Sequence, residues 1–240
     1  MPTAHLRRSF CSLAAAALAA LLFAPAPAGA ASLNPDEKPL VIPKAAQPPV
    51  LDGSLDEPAW AQALKVDGFK TFKPDFGKEA SQKTEAFVTY DAENLYFAFR
   101  CYDSEPDKVK AAMSKRDNIF QDDIVFINVD TFNDNQSAFV FMLNPLGIQG
   151  DGMLTVAGNV EVSFDTIWYS KGRIDDQGWA VEARIPLQSL RFPNRDVLTW
   201  RILFIRFFTR TSEQVSLPAL DPAQGSLLSQ AMPLQLSGLT

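Results

Sequence analysis

Charged side chains gather just before an apolar run: Lys115, Arg116, Asp117, Asp122 and Asp123 precede Ile124-Val-Phe-Ile-Asn-Val129. Guanidinium and carboxylate groups at a strand mouth can hold adjacent sugar hydroxyls through multidentate hydrogen bonds. Two neighbouring aspartates on a strand point to opposite faces, so only one of Asp122 and Asp123 is expected to face such a site. The alternative is a solvated loop with internal ion pairs, which contribute little at a surface. The apolar half of a sugar site needs an aromatic face. Trp60 falls on the apolar side of a short helical turn, and Trp179 and Trp200 alternate with Val181, Ile185 and Ile202, so these three are expected inside. Trp168 differs. Tyr169 follows it on the opposite face, and Ser170, Lys171 and Arg173 share its strand, so Trp168 is the indole expected to meet ligand. Asn144 completes the set, giving Trp168, Tyr169, Arg116, Asp122, Asp123 and Asn144 as candidate binding residues.

Other residues suit metals. Asp130, Asn133 and Asp134 supply hard oxygen donors fit for Ca²⁺, although the glycine and terminal glutamate of an EF-hand loop are missing. Asp52, Gly53, Asp56 and Glu57 could hold a cation, or form a turn and a helix cap. Gly147, Gly150 and Gly152 around Asp151 lack the Lys-Ser/Thr of a phosphate loop and mark a turn or bulge instead.

Much chemistry is excluded. The one histidine, His5, lies in an N-terminal leader, which removes Ser-His-Asp and Cys-His catalysis and histidine-ligated metals from the remainder. Arg7 and Arg8, the apolar stretch from Leu13 to Phe23 and Ala28-Gly29-Ala30 make residues 1–30 an export signal with a cleavage site. Arg7-Arg8-Ser9-Phe10 resembles part of a twin-arginine signal, and the general secretory route fits equally. A periplasmic, envelope-associated or secreted protein is expected. Without the leader, 20 basic residues face 28 acidic ones, a net charge of −8, which argues against a nucleic-acid partner. Cys101 is then the single cysteine, so no internal disulfide can form.

The elements that must position these residues are mostly strands. Leu95, Phe97, Phe99 and Cys101 share one face of Asn94–Tyr102, and Tyr96, Ala98 and Arg100 the other. The runs at 124–129 and 138–143 are apolar on both faces, as central strands should be, with Phe132–Gln136 as the turn between them. Strands also fit 166–174, 179–185 and 200–209. Short helices are expected after Asp56-Glu57-Pro58, at 107–115 and as one turn at 186–190. The fold class is all-β: an immunoglobulin- or jelly-roll-like antiparallel β-sandwich with one or two short helices. It is expected to fill residues 50–240 after a proline-rich lead-in at 31–49.

The segment Leu51-Asp-Gly-Ser-Leu-Asp-Glu-Pro-Ala-Trp60, followed by Tyr90-Asp-Ala-Glu-Asn-Leu-Tyr-Phe-Ala-Phe99, resembles the opening of family 9 carbohydrate-binding modules. Phe141-Met-Leu-Asn-Pro-Leu-Gly147, Gly178-Trp-Ala-Val-Glu-Ala-Arg-Ile-Pro186 and Ser189-Leu-Arg-Phe-Pro193 extend the match in family order. They point to the branch found at the amino terminus of uncharacterised bacterial outer-membrane-associated proteins. The resemblance implies a non-catalytic domain that binds an oligo- or polysaccharide, serves polysaccharide catabolism and carries structural calcium, with no other cofactor. Outer-membrane association would arise through sequence beyond this chain. The competing readings are a docking domain of an envelope protein without sugar binding and, further away, a glycosidase working through an Asp/Glu pair.

Overall fold

The computed structural model describes residues 38–239. The expected export signal, and the lead-in before Lys38, lie outside the described residues. In chain order the elements are β1 (Leu40–Val41), α1 (Pro58–Gln62), β2 (Leu64–Val66), β3 (Lys70–Lys73), β4 (Thr84–Tyr90) and β5 (Asn94–Tyr102). There follow β6 (Ile124–Asp130), β7 (Ser137–Leu143), β8 (Gln149–Thr155), β9 (Val160–Glu161), β10 (Tyr169–Asp175) and β11 (Gly178–Pro186). The last three are β12 (Val197–Phe208), β13 (Glu213–Leu217) and β14 (Met232–Ser237).

They form two sheets. A nine-stranded sheet runs β1-β14-β12-β6-β7-β8-β9, and a five-stranded sheet runs β10-β11-β5-β4-β2. β12 spans 12 residues, so one of its edges takes β14 along the first half and β13 along the second, with β3 outside β13. β1 joins β14 in parallel, and the other strand pairs are antiparallel.

Alternation decides which side chains meet between the sheets. Leu95, Phe97, Phe99 and Cys101 of β5 face Val125, Ile127, Phe141, Trp200 and Phe204 from the larger sheet in one core. Phe204 packs edge-on against Phe97 and Phe99, at 5.9 and 5.3 Å between ring centroids. Trp179 and Trp200 are buried there as expected.

The boundaries differ from expectation in three places. Residues 40–42 of the lead-in belong to the sandwich, because β1 pairs with β14 and Ile42 is buried in the core. No helix forms at 107–115. Only a 3-10 turn at Pro106–Lys108 appears, since the next carbonyls serve other partners: Lys110 O accepts from Asp123 N, and Ala112 O from the Asn144 side chain. The strand expected from Thr166 begins at Tyr169, because Thr166 N–H donates to the Asp151 carboxylate rather than to a neighbouring strand.

On the outer face of the smaller sheet, buried Glu182 of β11 latches the first turn and helix in place. Its carboxylate accepts from Asp52 N (2.9 Å), Gly53 N (2.6 Å) and Trp60 Nε1 (2.8 Å). Asp52 closes the turn by accepting from Ser54 N at 2.7 Å. Gly53 has φ +88°, and a Cβ there would lie 2.9 Å from that of Arg173, so the turn needs glycine. Glu57 occupies the cap position of α1 without a capping side-chain bond.

Burial pushes the Glu182 carboxyl up to about 7, against the three donors that favour its charged form. Between the ordinary value of 4.5 and about 7 the folded state therefore holds a proton that the unfolded chain releases, and this contribution to stability falls as pH rises through that window. Denaturant titrations at pH 4.5 and pH 7 should show a loss of up to about 3 kcal/mol from this group. Glu182→Gln should flatten the slope, and an unchanged slope would refute the assignment.

Candidate functional site

The structure brings several predicted residues together, but into a closed network. Asp151 of β8 has no exposed surface, and Arg116 binds it through Nε (2.9 Å) and Nη2. Arg116 also donates to Gln149 Oε1 (3.1 Å) and Thr166 O (2.7 Å), and pairs with Asp165 at 3.1 Å. Its guanidinium lies 6.0 Å from the Trp168 ring centroid. Burial raises the Asp151 carboxyl above its ordinary value, opposed by Arg116 and by Thr166 N–H.

Trp168 corrects the expectation of a solvent-open indole. Only 3% of it is exposed, and it packs edge-on against Phe141 at 5.1 Å. Segment 162–168 crosses from β9 of one sheet to β10 of the other, and Trp168 seals that edge of the core. Tyr169 is exposed, with the Arg184 guanidinium 4.4 Å from its ring centroid.

Asn144 and Asp122 meet in a second closed cluster. Asn144 Nδ2 donates to Asp122 Oδ2 (2.9 Å) and Ala112 O (3.0 Å), while its Oδ1 accepts from Leu146 N (3.0 Å) and Ile148 N (2.9 Å). Asp123 lies apart, buried, accepting from Thr209 N at 2.8 Å. These three residues have the bonding of turn and loop supports, with none of it directed at solvent.

The calcium candidates are likewise committed. The Asp130 carboxylate accepts four backbone N–H groups, from Phe132, Asn133, Asp134 and Asn135, at 2.8–3.1 Å. Asn133 Oδ1 accepts from Arg201 Nε and Asp134 Oδ1 from Gln136 N. These oxygens hold the β6–β7 turn in shape. Among the described residues no three acidic, histidine or cysteine side chains group as a metal site.

An open aromatic groove lies elsewhere, on the outer face of the nine-stranded sheet. β6, β7 and β12 are apolar on both faces, so this outer face needs cover. Ile119, Leu220 and Leu228, from two irregular segments, supply part of it and are themselves buried. Between them remains a cleft of about 320 Å³, with Phe126, Ile205 and Phe207 from the sheet and Phe72, Phe120 and Leu227 around them. Phe120 is 48% exposed. Gln214 and Lys73 add polar groups. The cleft shares Phe72, Lys73 and Leu227 with a second hollow of about 440 Å³, which adds Asp221, Ser226 and Gln230. Sequence reasoning missed this groove. Its single trace was the apolar second face of β6 and β12.

Residues 51–199 match the family model described as carbohydrate family 9 binding domain-like. That is more than half of the chain, and the chain belongs to this family. Two solved structures similar to it are of a carbohydrate binding module family 9 from Caldicellulosiruptor kristjanssonii. The complex with cellotriose has TM-score 0.59 and 16% identity, over 84% of this chain and 94% of that one. The complex with glucose has TM-score 0.56 and 17% identity, over 82% and 96%. A Bacteroides uniformis protein matches with TM-score 0.65 and 11% identity, over 82% and 98%. At these identities the likeness is one of fold. No curated protein sequence matches the chain.

Since Trp168 fills the edge of the core, Trp168→Ala should lower stability by about 3–5 kcal/mol in denaturant titrations. A change below about 1 kcal/mol, the range of an exposed residue, would show that the indole is not sealed.

Proposed function

We propose that the chain is an exported, non-catalytic carbohydrate-binding domain that takes an oligo- or polysaccharide segment in the groove over the nine-stranded sheet. The observation that carries this reading is the exposed Phe120 ring beside Phe72, Phe126 and Phe207 in a cleft of about 320 Å³, within the size range of small-ligand sites. Phenyl faces suit the CH-rich face of a pyranose, and Gln214, Lys73 and the second hollow offer groups for its hydroxyls. The two similar Caldicellulosiruptor modules are described with cellotriose and glucose, which makes a β-glucan the first ligand to try. Export is read from the leader of residues 1–30. The non-catalytic role is supported by the lack of any histidine beyond His5, and by carboxylates such as Asp151, Glu182 and Asp130 being bound into the frame. In this reading, roles in polysaccharide breakdown or at the outer membrane belong to sequence beyond this domain.

One observation favours a docking role for the same groove. No carboxylate lines its aromatic half, which an apolar partner segment would fill as readily as a sugar.

Calorimetric titration with cellotriose separates the two. Sugar binding predicts measurable affinity that falls about tenfold in Phe120→Ala, the order expected for one aromatic contact. Phe120 is exposed, so the variant should fold normally. A wild-type protein with no affinity for cellotriose or a broad panel of glycans would sink the sugar reading and leave docking.

A further inference from the structure

A third hollow, of about 360 Å³, opens at the edge of the sandwich and shares no lining residue with the groove. Phe132 and Phe164 flank it, Phe139 and Met153 form its floor, and Ser189 and Arg191 stand at its rim. Phe132 is 53% exposed and Phe164 partly so, while Phe139 is buried with its ring centroid 5.4 Å from that of Phe164. Two accessible phenyl faces around a space of this size can accept a pyranose ring.

Both walls are held rigidly. Phe132 sits on the turn whose N–H groups converge on the Asp130 carboxylate, its own N–H lying 3.0 Å from Oδ1. Phe164 is two residues from Thr166, whose N–H and carbonyl are bound by Asp151 (2.9 Å) and Arg116 (2.7 Å). The rim is tied on as well, for Thr131 Oγ1 donates to Arg191 O and Ser189 Oγ to Ile167 O at 2.8 Å. Such a site meets a ligand with little ordering to do.

Its charge is selective. No acidic side chain lines the hollow, although acidic residues outnumber basic ones in the chain. Arg191 is exposed, and among the described residues its guanidinium makes no ion pair. Arg116, Arg100 and Arg210, by contrast, are all paired with aspartates. An exposed arginine without an ion pair, on the lining of this aromatic hollow, matches a sugar that carries a carboxylate, which a guanidinium can bind through two parallel hydrogen bonds.

We propose that this edge hollow is a separate saccharide site for a hexuronate unit, with Phe132 and Phe164 packing on the ring and Arg191 holding the carboxylate. It does not rest on sugar binding in the groove, since no lining residue is shared.

The test is titration of the full chain with a trigalacturonate, and with the same trisaccharide after reduction of its carboxylates to primary alcohols. The wild type should favour the acidic sugar about tenfold or more, as one charge-assisted contact implies. Arg191→Gln should abolish that preference without changing affinity for the reduced sugar. Phe164→Ala should weaken both, and Phe132→Ala, on an exposed turn, gives the same reading should Phe164→Ala fold poorly. Phe120→Ala, in the groove, should leave the preference for the acidic sugar in place. Absence of trigalacturonate binding, equal affinity for both sugars, an unaffected Arg191→Gln variant, or loss of the acidic preference in Phe120→Ala would each overturn the proposal.

Discussion

A carboxylate with no access to water shapes this edge of the molecule. An ionised carboxyl cannot be buried without opposite charge and hydrogen bonds around it, and Asp151 is buried on β8. Its compensation comes from two segments with little regular structure: Arg116 from the loop before β6, and Thr166 N–H from the crossover into β10. Both are thereby fixed against the last long strand of the larger sheet. Trp168 then has a set depth, under Arg116 and against Phe141. The residues that resemble a polar binding site by type are bound to one another, and what they position is the Phe164 wall of the edge hollow.

The same logic recurs at two other places. Arg206 faces inward from β12 and is fully buried, donating to Lys83 O (3.1 Å), Thr84 Oγ1 (3.0 Å) and Tyr102 O (3.0 Å). Those acceptors belong to the opposite sheet or adjoin it, so one guanidinium ties the two layers together at one end. Its flat face lies 4.1 Å from the Phe208 ring centroid, which lets a cation sit among aromatic side chains. Glu182 fastens the N-terminal turn and α1 to the smaller sheet. Each buried charge has fixed partners from distant segments, and a slipped register would strand it. These groups therefore specify one arrangement of the sheets more than they add stability.

Period-two alternation made the sandwich legible, because it depends only on neighbours along the chain. β5, β6, β7, β11 and β12 fall where Leu95, Ile124, Ala138, Trp179 and Trp200 place them. Trp168 was misread because its immediate neighbours, Tyr169, Lys171 and Arg173, are exposed, whereas its burial comes from Phe141 and Arg116, far off in sequence. The acidic turn after β6 suggested a cation from its oxygen content. The turn's own N–H groups and Arg201 donate to those oxygens, which composition cannot reveal. The groove was invisible for a third reason: Phe72, Phe120, Phe126, Phe207 and Leu227 come from five separate segments and show no common pattern until the sheet assembles.

How the tryptophans are used bears on what kind of binder this is. Trp168, Trp179 and Trp200 are buried with their indole N–H groups unpartnered, and the N–H of Trp60 is taken by Glu182. The four indoles act as core volume and as a tether, leaving phenylalanine to line both open hollows. A phenyl ring offers a face without a hydrogen-bonding handle. On the proposed readings, stacking on Phe120 or Phe164 would discriminate poorly among sugars, and selectivity would come from the polar groups beside the rings. In the groove those are Gln214 and Lys73, with the more polar second hollow beyond. At the edge it is the unpaired Arg191 guanidinium. On the proposed readings the two hollows would share one means of holding a sugar ring, and they differ in the charge they present to it.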